Sequence, residues 1–399
     1  MTIFQTPAVG PEEEAALARI DSLRRDLRTY VAEPRRWSGS VRRVLAAKAI
    51  QGSNSIEGYN VSDEDAVAVV DGAPEPTSSE WEDWKANQSY GRAMTYVLQL
   101  AKDQHFDYTA ALIRGLHFIM TEYSFDAGPG LWRPGPIWVR NDATGEIVYD
   151  APEHGEVPEL IEELIAQLRA DHETRAMVRG AMAHLNLVMI HPFRDGNGRM
   201  ARCLQTLVLV REGILNKEFC SIEEYLGRNT AEYYAMLGQV GEGRWHPEGD
   251  ARPWVRFCLK AHYIQAASVL RRVRESERMF LEFDHLADSL GLPYRTSAAM
   301  FDAALGFRVR NAMYRSVLEH EWGEPISNQT ATTDLGALVR AGLLAPRGKK
   351  RGAYYIAAGP IREIYERLRA DRTPITADDL FSPSPTLLEP QPELFRNAG

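Results

Sequence analysis

The apolar positions along most of this chain recur at steps of three and four residues, which is the period of an amphipathic helix. Near the N-terminus, Leu17, Ile20 and Leu23 follow this spacing. Ser62, followed by the acid Asp65, has the capping signature of another helix start. Further helices are predicted over residues 80–102, 107–122, 157–170, 174–190 and 198–212. The pattern therefore predicts a mainly α-helical protein.

One segment between these helices has a different period. Residues 130–152 alternate apolar and polar positions, with Ile137 and Val139 before an Asn-Asp-Ala-Thr-Gly turn and Ile147 and Tyr149 after it. Alternation with a period of two is the pattern of a β-strand, and two such runs around a turn indicate a hairpin. We therefore predict a small β-hairpin that acts as a lid or platform beside the helices.

The character of the sequence changes towards the C-terminus. An Arg/Glu-rich linker helix is predicted over residues 266–289, and residues 290–370 then read as helices followed by two strands joined by the basic turn PRGKKRG. That order is typical of a winged helix-turn-helix domain. Residues 371–399 are rich in proline and polar side chains, which indicates a flexible tail.

Length and composition narrow the class of protein. A chain of 399 residues exceeds what one hydrophobic core usually organises, so two or three domains are expected. The charge of −9 argues against a general nucleic-acid binder, although a local basic patch remains compatible with it. The odd set of Cys203, Cys220 and Cys258 indicates reduced thiols. With neither a leader nor a membrane-spanning run, the sequence predicts a cytoplasmic protein without a membrane partner.

The candidate chemistry lies in one stretch, IHPFRDGNGRMAR, at residues 190–202. Pro192 cannot continue the preceding helix, so His191 is predicted at a helix exit, exposed but fixed. Gly196 and Gly198 leave the backbone free to aim successive N–H groups at one point, and the next helix adds its unpaired N–H groups. The loop is therefore a predicted anion site, with phosphate as its natural ligand.

Charged side chains flank this loop. Arg199 and Arg202 are three residues apart on one helix face, and their guanidinium groups suit the oxygens of a polyphosphate. Asp195 supplies the kind of carboxylate that holds Mg²⁺ together with substrate phosphates. His191 has the pKa class needed to deprotonate an attacking hydroxyl group.

Two other interpretations of histidines and acidic loops have to be compared with this one. A calcium loop opening at Asp195 fails, because its twelfth position is Thr206, where a bidentate glutamate is required. A histidine within an apolar helical pattern usually packs or orients other groups, and this is the role expected for His117 and His184.

Taken together, residues 191–202 resemble the full signature of the Fic family, and the similarity in organisation extends over about residues 30–265. The resemblance implies a helical Fic core with the hairpin as its flap, and a C-terminal winged helix is common in bacterial relatives. It also implies transfer of AMP from ATP, with Mg²⁺, onto a Tyr, Thr or Ser hydroxyl of a target protein and of the chain itself, releasing pyrophosphate.

The resemblance assigns roles to individual positions. His191 is the catalytic base and Asp195 the metal ligand. The flap residues Trp138 and Val139 dock the target segment through backbone hydrogen bonds. The positions assigned to the nucleotide, by packing the loop, forming the anion hole, binding phosphates or stacking on adenine, are Phe193, Gly196, Asn197, Gly198, Arg199, Arg202, Tyr233 and Tyr234. The Gly-Asn-Gly sequence is intact, whereas the kinase-like Doc branch departs from it.

Upstream, IQGSNSIEGYNVS is similar to the inhibitory motif of self-restrained Fic proteins. Ser53 and Glu57 lie on one helix face, and Gly58 is suited to end that helix. A Glu57 carboxylate paired with Arg202 would occupy the guanidinium group that the terminal phosphate needs. The motif therefore predicts autoinhibition, within one chain or across a homodimer.

The sequence is compatible with three functions. The favoured one is an autoinhibited protein adenylyltransferase, and the second is a de-AMPylating hydrolase in which Glu57 positions water. The third is a DNA-binding regulator that uses the wing residues Arg347, Lys349, Lys350 and Arg351, which the net charge disfavours. The expected domains are residues 1–105 with the inhibitory helix, 106–265 as the catalytic core, 266–289, 290–370 and 371–399.

Overall fold

The computed structural model describes residues 2–32, 35–72, 81–140, 145–214, 221–348, 353–370 and 372–382. Its helices in chain order are α1 (Pro11–Ala32), α2 (Ser38–Ile56), α3 (Asp63–Val70), α4 (Trp81–Leu100), α5 (Ala110–Thr121), α6 (Val157–Ala170), α7 (Ala176–Ile190), α8 (Asn197–Arg211), α9 (Glu223–Arg228), α10 (Thr230–Gly241), α11 (Arg252–Ser289), α12 (Thr296–Ala304), α13 (Asn311–His320), α14 (Asn328–Arg340) and α15 (Gly359–Ala370). The strands are β1 (Trp138–Arg140), β2 (Ile147–Asp150), β3 (Leu344–Arg347) and β4 (Tyr354–Ala357). The prediction of a mainly α-helical fold is confirmed.

Local sequence signals fix several helix ends. The Ser62 hydroxyl accepts a hydrogen bond from the Asp65 backbone N–H at 3.1 Å, which caps α3 as the sequence predicts. Thr109 caps α5 and Ser327 caps α14 in the same way, since each side chain accepts a hydrogen bond from the backbone N–H three residues later. These caps satisfy N–H groups that have no acceptor within the helix itself.

The antiparallel pair α7 and α8 lies at the centre of the fold. Nearly every residue of both helices is buried, including the polar side chains of His184, Asn186 and Gln205. A helix that is buried on all sides must be surrounded by other elements of the fold. Here α4, α5, α6 and α11 pack around the pair, so the connection between α7 and α8 is held by a rigid core.

The predicted hairpin is present beside this core. Strands β1 and β2 are antiparallel, with Val139 opposite Tyr149. The Tyr149 hydroxyl donates a hydrogen bond to the Met189 carbonyl oxygen at 2.8 Å, which fastens the hairpin to the last turn of α7. Residues 141–144 of the predicted turn lie outside the described residues.

The C-terminal part begins on α11, which runs without interruption across the boundary expected at residues 265/266. Helices α12 to α14 are followed by the antiparallel pair β3 and β4, and Val309 forms an isolated antiparallel bridge with Tyr355. This element order is the one on which the winged-helix prediction depends. The domain boundaries stay predictions, and Lys349, Lys350 and Arg351 of the wing lie outside the described residues.

Part of the predicted tail packs on the fold. Residues 372–382 include Leu380, which is 2% exposed and belongs to the main hydrophobic core. Arg372 also pairs with Glu275 of α11. The apolar Leu380 and Phe381 interrupt the polar composition on which the tail prediction rested, and both contact the core.

Helix α2 crosses α9 at a contact between glycines. A Cβ atom added to Gly227 would lie 2.6 Å from both the Cα and the carbonyl oxygen of Gly52, and one added to Gly52 would lie 2.5 Å from the Glu223 carbonyl oxygen. Only glycine allows the two backbones to approach this closely. The crossing therefore sets the position of α2.

We expect Gly227→Ala to lower the free energy of unfolding by about 1–3 kcal/mol, because the new methyl group meets backbone that cannot move aside cheaply. The matched control is Gly238→Ala in α10, where an added Cβ meets nothing within 4 Å. Because alanine has a higher helix propensity than glycine, this change should leave the free energy of unfolding unchanged or raise it. Urea unfolding of the two variants checks the difference. Equal stability of both would contradict a close α2–α9 contact.

Within the described residues, no helix combines the length and the apolar character that a membrane crossing requires.

Candidate functional site

His191 directly follows α7, where the sequence predicted a helix exit. Its φ of 52° lies in the left-handed region, which a side chain other than glycine adopts only at a cost. Its backbone carbonyl accepts a hydrogen bond from Arg133 Nε at 2.9 Å. The ring Nδ1 lies 3.1 Å from the Val188 carbonyl oxygen, which can only accept, so Nδ1 carries the proton and Nε2 is left as the acceptor.

The charge state of His191 follows from its surroundings. Burial lowers the pKa of His191 below its usual value, while the Val188 carbonyl and the Glu57 carboxylate act in the opposite direction. The ring is therefore neutral at pH 7. A neutral ring with Nε2 unprotonated can take a proton from a hydroxyl group.

The loop after His191 is closed by one side chain. Asn197 accepts a hydrogen bond from the Phe193 N–H at 2.8 Å and donates one to the Phe193 carbonyl oxygen at 2.8 Å. Gly196 has a φ of 77°, which allows the chain to turn into α8. Phe193 itself is fully buried. The Asn197 side chain therefore acts as a clamp on the loop, a role that the sequence analysis did not assign to it.

His117 packs against this loop and bonds to its backbone. Its ring stacks on Phe193 with ring centroids 3.6 Å apart. Its Nδ1 accepts from the Gly130 N–H at 3.0 Å, so Nε2 is the donor to the Asp195 carbonyl oxygen at 2.8 Å. His117 therefore has the orienting role expected of a packed histidine, and the group that it orients is the backbone of the motif.

Burial lowers the pKa of His117 from 6.5 to about 4, which makes stability pH-dependent. The unfolded chain binds a proton that the folded chain excludes, so this contribution is complete above pH 6.5 and declines as pH falls towards 4. We expect wild type to lose more unfolding free energy than His117→Gln between about pH 7 and pH 5, by up to about 1.4 kcal/mol per pH unit. Chemical unfolding at both pH values measures this loss, and equal losses in wild type and His117→Gln would refute the prediction.

Arg199 is already held by protein groups. It is fully buried, its Nη1 donates to the Tyr123 hydroxyl at 2.9 Å, and its Nη2 lies 3.3 Å from Asp195 Oδ2. Its guanidinium carbon lies 4.9 Å from the Tyr59 ring centroid. Tyr59 and Tyr123 were missed by the sequence analysis, since nothing in their local sequence places them beside the motif.

Asp195 is the exposed member of this cluster, with half of its side chain accessible. In the described part of the chain, no cluster of three or more His, Cys, Asp or Glu side chains is arranged to hold a metal ion. A single accessible carboxylate fits Mg²⁺ only when substrate phosphates supply further oxygens.

Arg202 connects the motif to α2. Its Nε donates to Ser53 Oγ at 2.8 Å, and its Nη2 donates to the Ser53 carbonyl oxygen at 2.9 Å and to Glu57 Oε1 at 2.7 Å. The guanidinium group is almost completely buried, and its Nη1 has no hydrogen-bond partner among the described residues. The structure therefore brings Ser53, Glu57 and Arg202 together across 145 to 149 positions of sequence.

The Glu57 carboxylate also lies against the start of α8. A Cβ atom added to Gly198 would lie 2.4 Å from Glu57 Oε1, so the carboxylate is in contact with the loop predicted to bind an anion. Burial alone would raise the pKa of Glu57, but Arg202 and Arg199 outweigh it and hold the pKa below its usual value. Gly58, with a φ of 88°, ends the helix immediately after this residue.

The two tyrosines expected near adenine differ. Tyr233 is 1% exposed, and its hydroxyl lies 3.0 Å from His184 Nε2 inside the core, so it offers no accessible ring face. Tyr234 is 48% exposed, and its hydroxyl donates to the Ile56 carbonyl oxygen at 3.2 Å. Among the flap residues, Trp138 is exposed on β1 and Val139 is half-buried.

Comparisons with known proteins agree with this geometry. Residues 107–209 match the family model described as Fic/DOC family. The chain is 38% identical over 129 residues to protein adenylyltransferase fic-1 of Caenorhabditis briggsae, covering 32% of this chain and 22% of that protein. It is 35% identical over 87 residues to a probable protein adenylyltransferase of Aquifex aeolicus, covering 22% and 25%. The matched regions thus span a quarter or less of these relatives.

Solved structures are similar over more of the chain. A Fic family protein from Desulfovibrio desulfuricans G20 aligns with a TM-score of 0.55 and 20% identity, covering 89% of this chain and 99% of that one. Fic-1 (residues 134–508) from Caenorhabditis elegans aligns with a TM-score of 0.51 and 21% identity over 65% and 73%. The family match spans the start of α5 to most of α8 and thus includes the hairpin and the motif loop. This chain therefore carries a domain of the Fic/DOC family at residues 107–209 and has the fold of Fic family proteins.

Proposed function

We propose that this chain is an autoinhibited protein adenylyltransferase that transfers AMP from ATP to a Tyr, Thr or Ser hydroxyl of a target protein and of itself. The observation that carries the proposal is the contact of Glu57 with both Arg202 and Gly198, beside a neutral His191. A carboxylate held against an arginine and a helix N-terminus occupies a site suited to phosphate. The names of the relatives described above supply the reaction class.

The proposed reaction begins at His191. Its Nε2 accepts the proton of the target hydroxyl while Nδ1 stays bonded to the Val188 carbonyl oxygen. The hydroxyl oxygen then attacks the α-phosphorus of ATP, the bond from that phosphorus to the bridging oxygen of the β-phosphate breaks, and pyrophosphate leaves. The backbone N–H groups of the loop and the N-terminus of α8 stabilise the charge that develops on the α-phosphate oxygens.

The outer phosphates would lie towards the two arginines. Arg202 Nη1 has no hydrogen-bond partner among the described residues, and Nη2 is released as a second donor when Glu57 leaves. Arg199 contributes positive charge while Tyr123 and Asp195 hold its position. A Mg²⁺ ion held by Asp195 and phosphate oxygens would offset charge on the nucleotide when bound.

Inhibition follows from competition for Arg202. The terminal phosphate and the Glu57 carboxylate need the same guanidinium group, and two anions cannot share it without strong repulsion. Productive ATP binding therefore requires the last turn of α2 to move away from the start of α8.

The target would add to the hairpin. Strands β1 and β2 form a two-stranded sheet, and Asp150 of β2 also bridges Arg244. Among the described residues, the edge of β1 and the part of the β2 edge before Asp150 are therefore open to pair with an extended segment. Trp138 is exposed beside one of these edges. Recognition by backbone hydrogen bonds selects the geometry of the target more than its sequence.

The decisive experiment compares ATP labelled at the α-phosphate with ATP labelled at the γ-phosphate, using the full chain with Glu57→Gly, Mg²⁺ and cell lysate. Adenylyl transfer puts only the α-label on protein. Transfer of the γ-label would instead show a kinase and overturn the proposal. If neither label is transferred, and wild type but not Glu57→Gly releases AMP from a modified protein, the hydrolase alternative replaces it.

A further inference from the structure

A cavity lies between α2, α3, α9, α11 and α15. Its volume is about 140 Å³, several times what one water molecule needs. Val41 and Lys48 of α2 line one side, and Arg369 of α15 lines another. Among the described residues that line it, none belongs to the motif at residues 190–202. This cavity, which we call the α2–α15 cleft, is therefore separate from the candidate active site.

The α2–α15 cleft carries an excess of positive charge. Asp63 pairs with Lys48, Glu224 pairs with Arg228 and Arg272, and Glu275 pairs with Arg372. The cationic side chains that line it are Lys48, Arg228, Arg272, Arg369 and Arg372. Asp63 and Glu275 line the cleft, and Glu224 neutralises one further charge from outside the lining. Among the described residues, three carboxylates therefore offset five cations, which leaves a surplus of two positive charges.

Arg369 is the cation of the cleft that forms an ion pair with none of the described carboxylates. It forms no hydrogen bond or ion pair with any described residue, and its contact is with the Tyr365 ring of its own helix, 4.5 Å from the guanidinium carbon. Burial, together with the neighbouring Arg372, lowers the pKa of Arg369 to about 10. A half-buried guanidinium group among other cations is an unfavourable arrangement that a bound anion would relieve.

The other walls of the cleft are apolar. Leu45 of α2, Met279 of α11 and Leu368 of α15 line it together with the cations. A pocket with apolar walls and a few convergent charged groups suits a small molecule with a charged end and an apolar body. A phosphate monoester carries a charge of about −1.5 to −2 at pH 7, which matches the surplus of two.

We propose that the α2–α15 cleft binds a small phosphate-bearing molecule, with its phosphate on Arg369 and its apolar body against Leu45 and Leu368. The cleft exists while α2 lies where Glu57 pairs with Arg202, since α2 forms one wall. A ligand that binds this arrangement stabilises it. Binding therefore opposes ATP, a coupling that rests on the proposed function.

Phenyl phosphate is a suitable probe, because it joins a dianion to an apolar ring. We expect it to raise the melting temperature of the full chain, and to do so more than inorganic phosphate at equal concentration. Arg369→Met should abolish this shift. Arg367→Met is the matched control, since it removes the same charge from the same helix at a side chain that is 63% exposed and paired with Glu282.

An unchanged shift in Arg369→Met, or no shift in wild type, would overturn the proposal. The coupling is tested separately by equilibrium binding of ATP without turnover. Phenyl phosphate should weaken ATP binding several-fold in wild type and leave it unchanged in Glu57→Gly. Equal weakening in both would show competition at the catalytic loop instead. Neither measurement depends on AMP transfer, so failure of the cleft and failure of the proposed reaction are distinguishable.

Discussion

Replacing His191 by alanine in the Glu57→Gly background is expected to lower the rate of AMP transfer by about 10²- to 10⁴-fold, the usual contribution of a positioned general base. The loss should appear in the maximal rate and leave ATP binding nearly unchanged, because Nε2 is left to receive a proton and Nδ1 is bound to the protein. Single-turnover transfer of the α-label and equilibrium binding of ATP measure the two quantities.

The backbone of His191 requires a second variant. Alanine at a φ of 52° costs about 1 kcal/mol, whereas asparagine adopts this conformation more readily. His191→Asn should therefore fold like wild type and still lose transfer. His172→Ala, at an exposed histidine between α6 and α7, is the control that should retain it. Transfer at the full rate by His191→Asn would show that another group takes the proton.

The helical part of the fold could be predicted because its signals are local. The sequence pattern predicts helix α6 over residues 157–170, and the helix has these bounds, since its buried residues recur with the helical period. The hairpin was predictable for the same reason, because alternation around a turn is also local. Helix α11 differs, since its periodicity continues through residue 265, where a change in composition had suggested a boundary.

The candidate site was predictable to a smaller extent. The motif identifies His191, Asp195 and the two arginines as site residues, but the partners that hold them come from distant segments. Tyr123 reaches Arg199 across 76 positions, and His117 reaches the Asp195 carbonyl oxygen across 78. Such contacts are set by the packing of α5 on α8, which no local pattern encodes. For Tyr233 the local pattern is ambiguous, because its helical spacing fits a core position as well as a position that contacts adenine.

Glu57→Gly is expected to raise transfer of the α-label by at least about tenfold, which corresponds to removing roughly 1.4 kcal/mol of competition at Arg202. The estimate is a lower bound, since breaking a buried ion pair commonly costs about 3–5 kcal/mol. Glu57→Gln keeps the size of the side chain and removes its charge, so it should activate less than glycine. Equal activity of wild type and Glu57→Gly would contradict inhibition by this side chain.

The charge on Glu57 determines how the activation by Glu57→Gly depends on pH. Because Arg202 and Arg199 hold the pKa of Glu57 below 4.5, the carboxylate stays ionised and keeps its hold on Arg202 throughout the neutral range. The activity ratio of Glu57→Gly to wild type should therefore be constant between about pH 6 and pH 8. A ratio that falls towards one at pH 6 would mean that protonation releases the pair. A constant ratio means that displacement of α2 must release it, which places control of the proposed transfer at the contacts of α2 with α9 and with the α2–α15 cleft.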